Sequence, residues 1–342
     1  MPVPSVRVRL ALVVGSLVIT LFVLELALLV AGYAYVPMSI QVGETGDARG
    51  FHVFEDGNFE YDPDLIWRPK PSQSIFNRQG FRGPELAARK AVGEVRLFAI
   101  GDSNTLGWAG EDGPNWPQDL HDRIRQEYDR AVVVNAGVWG YASFQGVRRF
   151  RQTLAFDPDI VLVSFGSNDA HRVLIADREY AANPDRETGL AQLLRRFRLG
   201  ELLLSGADAI SRQGPGEVRP RVPLDEYRAN LTTIVDEARE RGVDVVLLTR
   251  PYEGQIEGPY WWKNWGDDYN VATADVARQT GVPIVDVYSF FKDRTDLFAD
   301  ESHFTAEGHE QAAGVILDHI RPLVESRRAA GEAPRLKMEG GS

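Results

Sequence analysis

Residues 10–36 are apolar almost without interruption, and Glu25 is the one ionisable residue before Tyr33. At ~1.5 Å rise per residue, a helix of this length can cross ~30 Å of hydrocarbon with some tilt. Fifteen of the residues between 10 and 30 are Leu, Ile, Val or Phe. Each favours insertion by ~0.3–0.6 kcal/mol, against about 2.5–3.5 kcal/mol for one central acid. Insertion wins, and Glu25 reads as a single tolerated charge towards the outer half of the span. Arg7 and Arg9 precede the run, whereas Glu44, Asp47, Glu55 and Asp56 outnumber Arg49 after it. The positive-inside rule then puts the N-terminus in the cytoplasm and the rest of the chain outside it. The rival reading is a cleaved signal peptide, favoured by the small residues within 31–34. Its apolar region would span only about 7–15 residues, which this run exceeds.

After residue 92 the pattern changes. Short apolar, β-branched runs at 95–100, 131–134, 160–165, 243–248 and 284–287 predict strands. Between them, 116–128, 144–154, 224–241 and 271–280 show helical periodicity. A last helix is expected over 306–325, with Thr305 as its N-cap. Strands alternating with helices predict an α/β fold with a parallel sheet covered on both faces. Residues 171–223 are long for one connection and predict an excursion, helical over 190–204 and loose over 206–223. Four regions follow: an N-terminal transmembrane anchor (1–37), a juxtamembrane connector (38–91), the α/β domain (92–327) and a polar tail (328–342). The connector is rich in Gly, Pro, Asp and Asn, but Phe76, Asn77, Gly80, Phe81, Arg82 and Gly83 predict an ordered turn that packs on the domain.

Composition narrows the function. A net charge of -11 without a long basic stretch argues against nucleic acid. The chain has no cysteine, which removes disulfides, thiol catalysis, Cys-ligated zinc and a lipidated-cysteine anchor. The acidic residues show no metal-ligand spacing, so neither a metal nor another cofactor is expected.

The candidate chemistry falls where a parallel sheet binds ligands, at the carboxyl ends of its strands. Gly101-Asp102-Ser103-Asn104 follows the first strand and Asn135 to Gly140 the second. Gly166-Ser167-Asn168-Asp169 follows the third, and Asp300-Glu301-Ser302-His303 lies between the fifth strand and the last helix. A serine hydroxyl needs a base to become a nucleophile, and a histidine held by a carboxylate supplies one. Asp300 precedes His303 by one turn. The backbone N–H groups of Ser103 and Gly140 and the amide of Asn168 are candidate oxyanion donors. Taken singly, each stretch has an ordinary explanation as a turn or helix cap. Their shared placement and order make coincidence a poor account.

These blocks resemble the SGNH hydrolases, or GDSL-like lipases and esterases, over about residues 95–325. Ser103 stands in a Gly-Asp-Ser block, Asn168 in a Gly-x-Asn-Asp block, and Asp300 with His303 in an Asp-x-x-His block. Gly140 is the best match for the glycine block, with Gly137 second. Asn104, where the family name has Leu, and Phe304, where Pro or Leu is frequent, depart from the pattern. The resemblance implies a three-layer α/β/α sandwich with a flavodoxin-like sheet. It implies a serine esterase that cleaves acetyl or longer acyl esters through an acyl-enzyme, with acylated envelope or extracellular polysaccharide among the substrates. An O-acyltransferase acting on such glycans would use the same residues, and a non-catalytic envelope-binding protein would keep only the fold. Arg250 and the aromatic run containing Trp261, Trp262 and Trp265 follow the fourth strand and are candidate substrate contacts, with pairing to a nearby acid as the alternative for Arg250 and loop packing as the alternative for the aromatics. His309 and His319 read as helix-surface residues, and His171 as part of a solvated loop.

Overall fold

A computed structural model gives the fold. It describes residues 5–33, 41–42, 48–49, 58–62, 64–73, 75–107, 113–173, 176–182, 193–194, 196–211, 219–252, 263–300 and 302–332. The chain opens with helix α1 (Val6–Val30), long and apolar enough to cross a membrane, whose side chains are largely exposed. An antiparallel hairpin follows, β1 (Phe59–Asp62) and β2 (Ile66–Pro69). The remaining elements alternate: β3 (Val95–Gly101), α2 (Ser103–Leu106), α3 (Trp116–Glu127), β4 (Ala131–Asn135), α4 (Ser143–Thr153) and β5 (Ile160–Ser164). After them come α5 (Arg198–Ser211), α6 (Leu224–Glu240), β6 (Asp244–Leu248), α7 (Lys263–Thr280), β7 (Ile284–Val285) and α8 (Ala306–Glu332).

Strands β3 to β7 form a five-stranded sheet in the order β7-β6-β5-β3-β4, every neighbouring pair parallel. All residues of β3 and β5 are buried, as expected for strands covered on both faces. Side chains alternate across the pleat. Leu97 and Ala99 face a core shared with α3 and α8, while Phe98 and Ile100 face a core shared with α4, α6 and α7. The result is the three-layer α/β/α arrangement anticipated from the strand and helix pattern. Helix starts obey local chemistry. Asn115 Oδ1 accepts from Gln118 N at 3.0 Å ahead of α3, and Thr305 Oγ1 accepts from Gly308 N at 3.1 Å ahead of α8.

The strand order has one reversal that positions a site. The chain runs from β3 outward to β4, then returns across β3 to place β5 on its other side. Loops leaving β3 and β5 therefore diverge to opposite faces, and the crevice between them is where sheets of this order bind ligands.

The connector is more structured than its composition suggests. Phe59, Leu65, Ile66, Trp67, Phe76 and Phe81 belong to the same core as Phe98 and Ile100. The Phe81 ring lies 5.4 Å from Phe98 and 5.3 Å from Phe156, both edge-to-face. The expected turn around Asn77 is present: its Oδ1 accepts from Gln79 N and Phe81 N, and its Nδ2 donates to Pro84 O at 2.8 Å. Arg82 N then donates to Asn135 O at 2.9 Å, covering the outer edge of β4. The change of pattern at residue 92 is thus not a break in packing. Three helices also outrun their periodic stretches, α5 continuing to Ser211 into residues expected to be loose. Helix α7 begins at Lys263, not 271, and α8 continues to Glu332 through Pro322. Arg327 in that last stretch donates to Asp244 Oδ2 at 2.6 Å.

If the connector is part of the folded core, Phe81→Ala should destabilise the protein by about 3–5 kcal/mol, the usual cost of truncating a buried phenylalanine. Chemical unfolding of the variant against the parent measures this. A change near zero would mean that the connector merely tethers the domain.

Candidate active site

The carboxyl end of β3 leads directly into Asp102 and Ser103. Asp102 caps the short α2, its Oδ1 accepting from Asn104 N at 2.9 Å. This sharp strand-to-helix turn leaves the Ser103 side chain at the sheet rim, 6% exposed. Its Oγ lies 2.7 Å from His303 Nε2, although 200 positions separate the two residues. Arg82 braces the far end of α2, with Nη1 donating to Leu106 O at 2.7 Å and to Gly107 O at 3.2 Å.

His303 sits in a tight loop whose base is closed by Phe298 and Phe304. These two form an antiparallel bridge, and their rings are 5.1 Å apart. Within the loop, Asp300 Oδ1 accepts from Ser302 N at 2.9 Å and from His303 N at 2.8 Å. The same carboxylate reaches His303 Nδ1 at 2.9 Å and 2.8 Å. An ionised carboxylate can only accept, so Nδ1 carries the proton and Nε2 is left to accept from the Ser103 hydroxyl. Burial works to raise the Asp300 pKa, but the hydrogen bonds from His303 and the two backbone N–H groups outweigh it and hold the carboxyl at about 2.

Two further predicted residues meet at one turn after β4. Gly140 lies in the turn after β4 with φ +72°, a conformation that favours glycine. A Cβ there would touch the Trp67 ring at 3.2 Å. Arg221 fixes the turn by donating from Nη1 to Gly140 O at 2.8 Å, and is itself paired with the fully buried Asp177 at 2.7 Å. Asn168 Nδ2 donates to Tyr141 O at 3.1 Å, which holds its amide beside the same turn and leaves the second N–H for another acceptor. Gly137, the second choice, is a packing glycine. Its N–H donates to Asn135 Oδ1, and a Cβ would lie 2.5 Å from Leu106 N.

Arg250 occupies a different place from the one expected of a substrate contact. It is 2% exposed, and its Nε donates to Asp102 Oδ2 at 2.7 Å while Nη1 reaches Ser302 O at 3.1 Å. The guanidinium therefore ties the loop before Ser103 to the loop of His303. Asn270 on α7 brackets its backbone through Oδ1 and Nδ2. The two departures from the family pattern also meet, since Phe304 N approaches Asn104 Oδ1 at 3.4 Å. Trp261 and Trp262 lie outside the described residues, and Trp265 falls within α7. His309 is buried, not on the helix surface. Its Nδ1 accepts from Trp116 N at 3.2 Å, and burial pushes its pKa down to about 3, so it stays neutral as a cap for α3. His171 is half-buried next to a short strand, with its carbonyl accepting from Arg221 N. His319 is exposed on α8, as expected. Among the described residues no cluster of His, Cys, Asp and Glu could hold a metal. A groove of about 650 Å³ runs along β4, lined by Arg82, Glu94, Asn115 and His121 among others, and is separate from the Ser103–His303 pair.

Sequence reading missed Arg221 and Trp67; it allowed Arg250 a nearby acid as partner but did not identify Asp102 or the tie to the His303 loop. Asp102 had a signal, as the acid immediately before Ser103, but was legible only as a cap. Arg250 stands at the carboxyl end of β6, where a free cation and a buried one look alike.

A hydroxyl, an imidazole and a carboxylate in line, beside a positive-φ glycine turn and a side-chain amide, can perform acyl transfer through a serine nucleophile. The model of the GDSL-like Lipase/Acylhydrolase family matches residues 99–311. The chain is 25% identical over 216 residues to an uncharacterized lipoprotein of Bacillus subtilis, covering 57% of this chain and 71% of that protein. It is 31% identical over 78 residues to an arylesterase of Vibrio mimicus, covering 22% of this chain and 39% of the arylesterase. Among solved structures, a lipase/acylhydrolase from Enterococcus faecalis is 21% identical with TM-score 0.48, covering 67% of this chain and 96% of that one. The acetylxylan esterase of Geobacillus stearothermophilus is 22% identical with TM-score 0.47, covering 67% of this chain and 95% of that one.

Removing Arg250 would leave the Asp102 carboxylate buried without its partner. Arg250→Met should therefore cost about 3–5 kcal/mol of stability. A substrate contact would instead raise KM and leave unfolding unchanged, so the two measurements separate the readings. Asp300 gives a pH signature. Its folded pKa is depressed below the ordinary ~3.9, so its stabilising contribution is present above about pH 4 and is lost as pH falls towards about 2. Thermal unfolding of Asp300→Asn should lack that part of the acid loss. An identical acid profile in parent and variant would count against the assignment.

Proposed function

The chain belongs to the GDSL-like Lipase/Acylhydrolase family, and from that premise we propose that it hydrolyses acyl esters outside the cytoplasm with Ser103 as nucleophile. The observation that carries this reading is the unbroken line of hydrogen bonds from Ser103 Oγ through His303 to Asp300. Ser103 Oγ attacks the ester carbonyl as His303 Nε2 takes its proton. Asp300 stabilises the resulting imidazolium and holds the ring in its tautomer. The oxyanion is received by the N–H groups of Ser103 and Gly140 and by the free amide hydrogen of Asn168. His303 then hands its proton to the departing alcohol. Water, activated by the same imidazole, attacks the acyl-enzyme, releases the acid and restores Ser103.

The arylesterase relative supports ester bonds as the target. The cellular placement rests on α1, read as a retained anchor with its N-terminus in the cytoplasm. The Bacillus subtilis relative is named a lipoprotein, which supports attachment to the cell envelope. This chain has no cysteine, so helix α1 would serve where a lipidated residue cannot. Acetyl and longer acyl groups, including those carried by envelope glycans, are the proposed substrates.

The test is chemical. The full chain should hydrolyse p-nitrophenyl acetate and take a fluorophosphonate label at Ser103. Ser103→Ala should lose both, with kcat falling by about 10⁶-fold, while Asp300→Asn should fall by about 10⁴-fold. Asn168→Ala should cost about 10²–10³ in kcat, the usual price of one oxyanion donor. Folded protein that takes no label would reduce the chain to a binding protein. Labelling with product formed only when a glycan acceptor is added would make it an acyltransferase.

A further inference from the structure

Glu25 lies within the apolar span of α1, five residues before its end at Val30. Its carboxylate is not left to the lipid. Oε1 accepts from Arg198 N at 2.8 Å and Oε2 from Leu199 N at 2.9 Å, the first N–H groups of α5. Two problems cancel here. An acid inside a membrane span needs donors, and the first N–H groups of a helix have no partner within it. A carboxylate at a helix N-terminus satisfies both and suits the positive end of the helix dipole. Further along, Tyr33 OH donates to Ser205 Oγ at 3.1 Å. The contact moves from residue 25 in α1 to Tyr33, just beyond its end, as it moves from 198 to 205 on α5, so the two segments run side by side in the same direction.

This pairing sets a depth. At ~1.5 Å per residue, Glu25 lies ~7–8 Å inside the end of α1, and the first turn of α5 must lie at that level. The side chains agree. Leu193, Phe197, Leu202 and Leu203 are 51%, 51%, 41% and 59% exposed, while Leu199, Gly200, Glu201, Leu204 and Ser205 are buried or half-buried. On α1, Leu26 and Leu29 flank the paired Glu25 and are exposed as well. In water these side chains would be a liability beside a helix that is itself apolar on its surface.

We infer that the start of α5, with Leu193, Phe197, Leu202 and Leu203, is a second membrane contact, entering the outer part of the bilayer alongside the outer end of α1 and fixed there by Glu25. The occupant of the exposed face is the acyl region of the bilayer. The segment belongs to the excursion that leaves the sheet directly after Asn168, so the loop carrying a proposed oxyanion donor is joined to an element seated in the membrane. The inference rests on α1 being membrane-spanning, and the experiment keeps the two apart.

The chain has no cysteine, so single labels are unambiguous. Phe197→Cys, Leu203→Cys, Leu17→Cys in α1 and Glu240→Cys on exposed α6 would each carry an environment-sensitive nitrobenzoxadiazole. Each full-length variant would be reconstituted into phosphatidylcholine–phosphatidylglycerol vesicles. Probes at 197 and 203 should show emission shifted to the blue and quenching by doxyl-labelled lipid, like 17 and unlike 240. If 17 reports lipid but 197 and 203 are quenched by aqueous iodide as fully as 240, the second contact is refuted and the anchor stands. If 17 also reports water, both readings fall. The pair Tyr33→Cys with Ser205→Cys should form an oxidative cross-link in the same vesicles. Failure to cross-link in folded protein would overturn the pairing of α1 with α5.

Discussion

Holding a hydroxyl 2.7 Å from an imidazole across 200 positions requires that the two loops carrying them share a common fixed point. The buried pair of Asp102 and Arg250 supplies it. Asp102 is the residue before Ser103, and Arg250 spans from its carboxylate at 2.7 Å to the carbonyl of Ser302, the residue before His303. Each member of the reacting pair is thus one residue away from the same guanidinium. A planar fork with several donors suits this task, because it fixes direction as well as distance. A shift of one loop relative to the other would stretch charge-assisted hydrogen bonds in a dry environment, where they are most directional.

Such a pair is a poor source of net stability. Removing two charges from water costs several kcal/mol each, and their attraction repays this only when the remaining hydrogen-bonding capacity is filled. Here it is filled: Asp102 Oδ1 takes Asn104 N, and Arg250 Nη1 takes backbone carbonyls. The arrangement therefore trades little stability for a defined geometry. The same logic recurs at Gly140, where the buried Arg221–Asp177 pair pins a carbonyl in the turn after β4. Two buried arginines, each neutralised by an aspartate, thus fix the loops that carry the candidate site residues.

The layered fold was legible because its causes are local. Runs such as 95–100 and 160–165 are apolar on both faces, and only a sheet covered twice explains that. The carboxyl-end placement of Ser103, Gly140, Asn168 and His303 followed from the strand order of such sheets. The hydrogen bonds that hold them were not legible, because they depend on partners distant in the chain. Arg250 reads equally as a substrate contact or as the partner of some nearby acid until Asp102 is seen beside it. His309 sits at a helical spacing that suits a surface, yet it is buried as the cap of Trp116 N, a donor on a different helix. The hairpin at 59–69 was hidden because its strands are short and flanked by Asp and Pro, so it borrows its stability from Trp67 and the rest of the core. Helix α7 starts before its apolar periodicity does, and periodicity was the only signal available.

Glu25 shows how the same limit bears on the membrane end of the chain. From composition, one acid in an apolar run is a cost that fifteen apolar side chains outweigh, and the tolerated-charge reading is sufficient. The structure replaces tolerance with a contact: two backbone N–H groups that α5 cannot use internally are met by two carboxylate oxygens that lipid cannot hydrate. A neutral residue at 25 would insert more easily but would leave the first turn of α5 without acceptors. A cleaved signal segment would gain nothing from an acceptor matched to a helix 173 positions further along the chain. The pairing therefore favours a helix that stays with the folded protein. On the proposed membrane placement of α1, the orientation of the domain follows from this packing, because α5 belongs to the excursion over 171–223 that comes soon after Asn168.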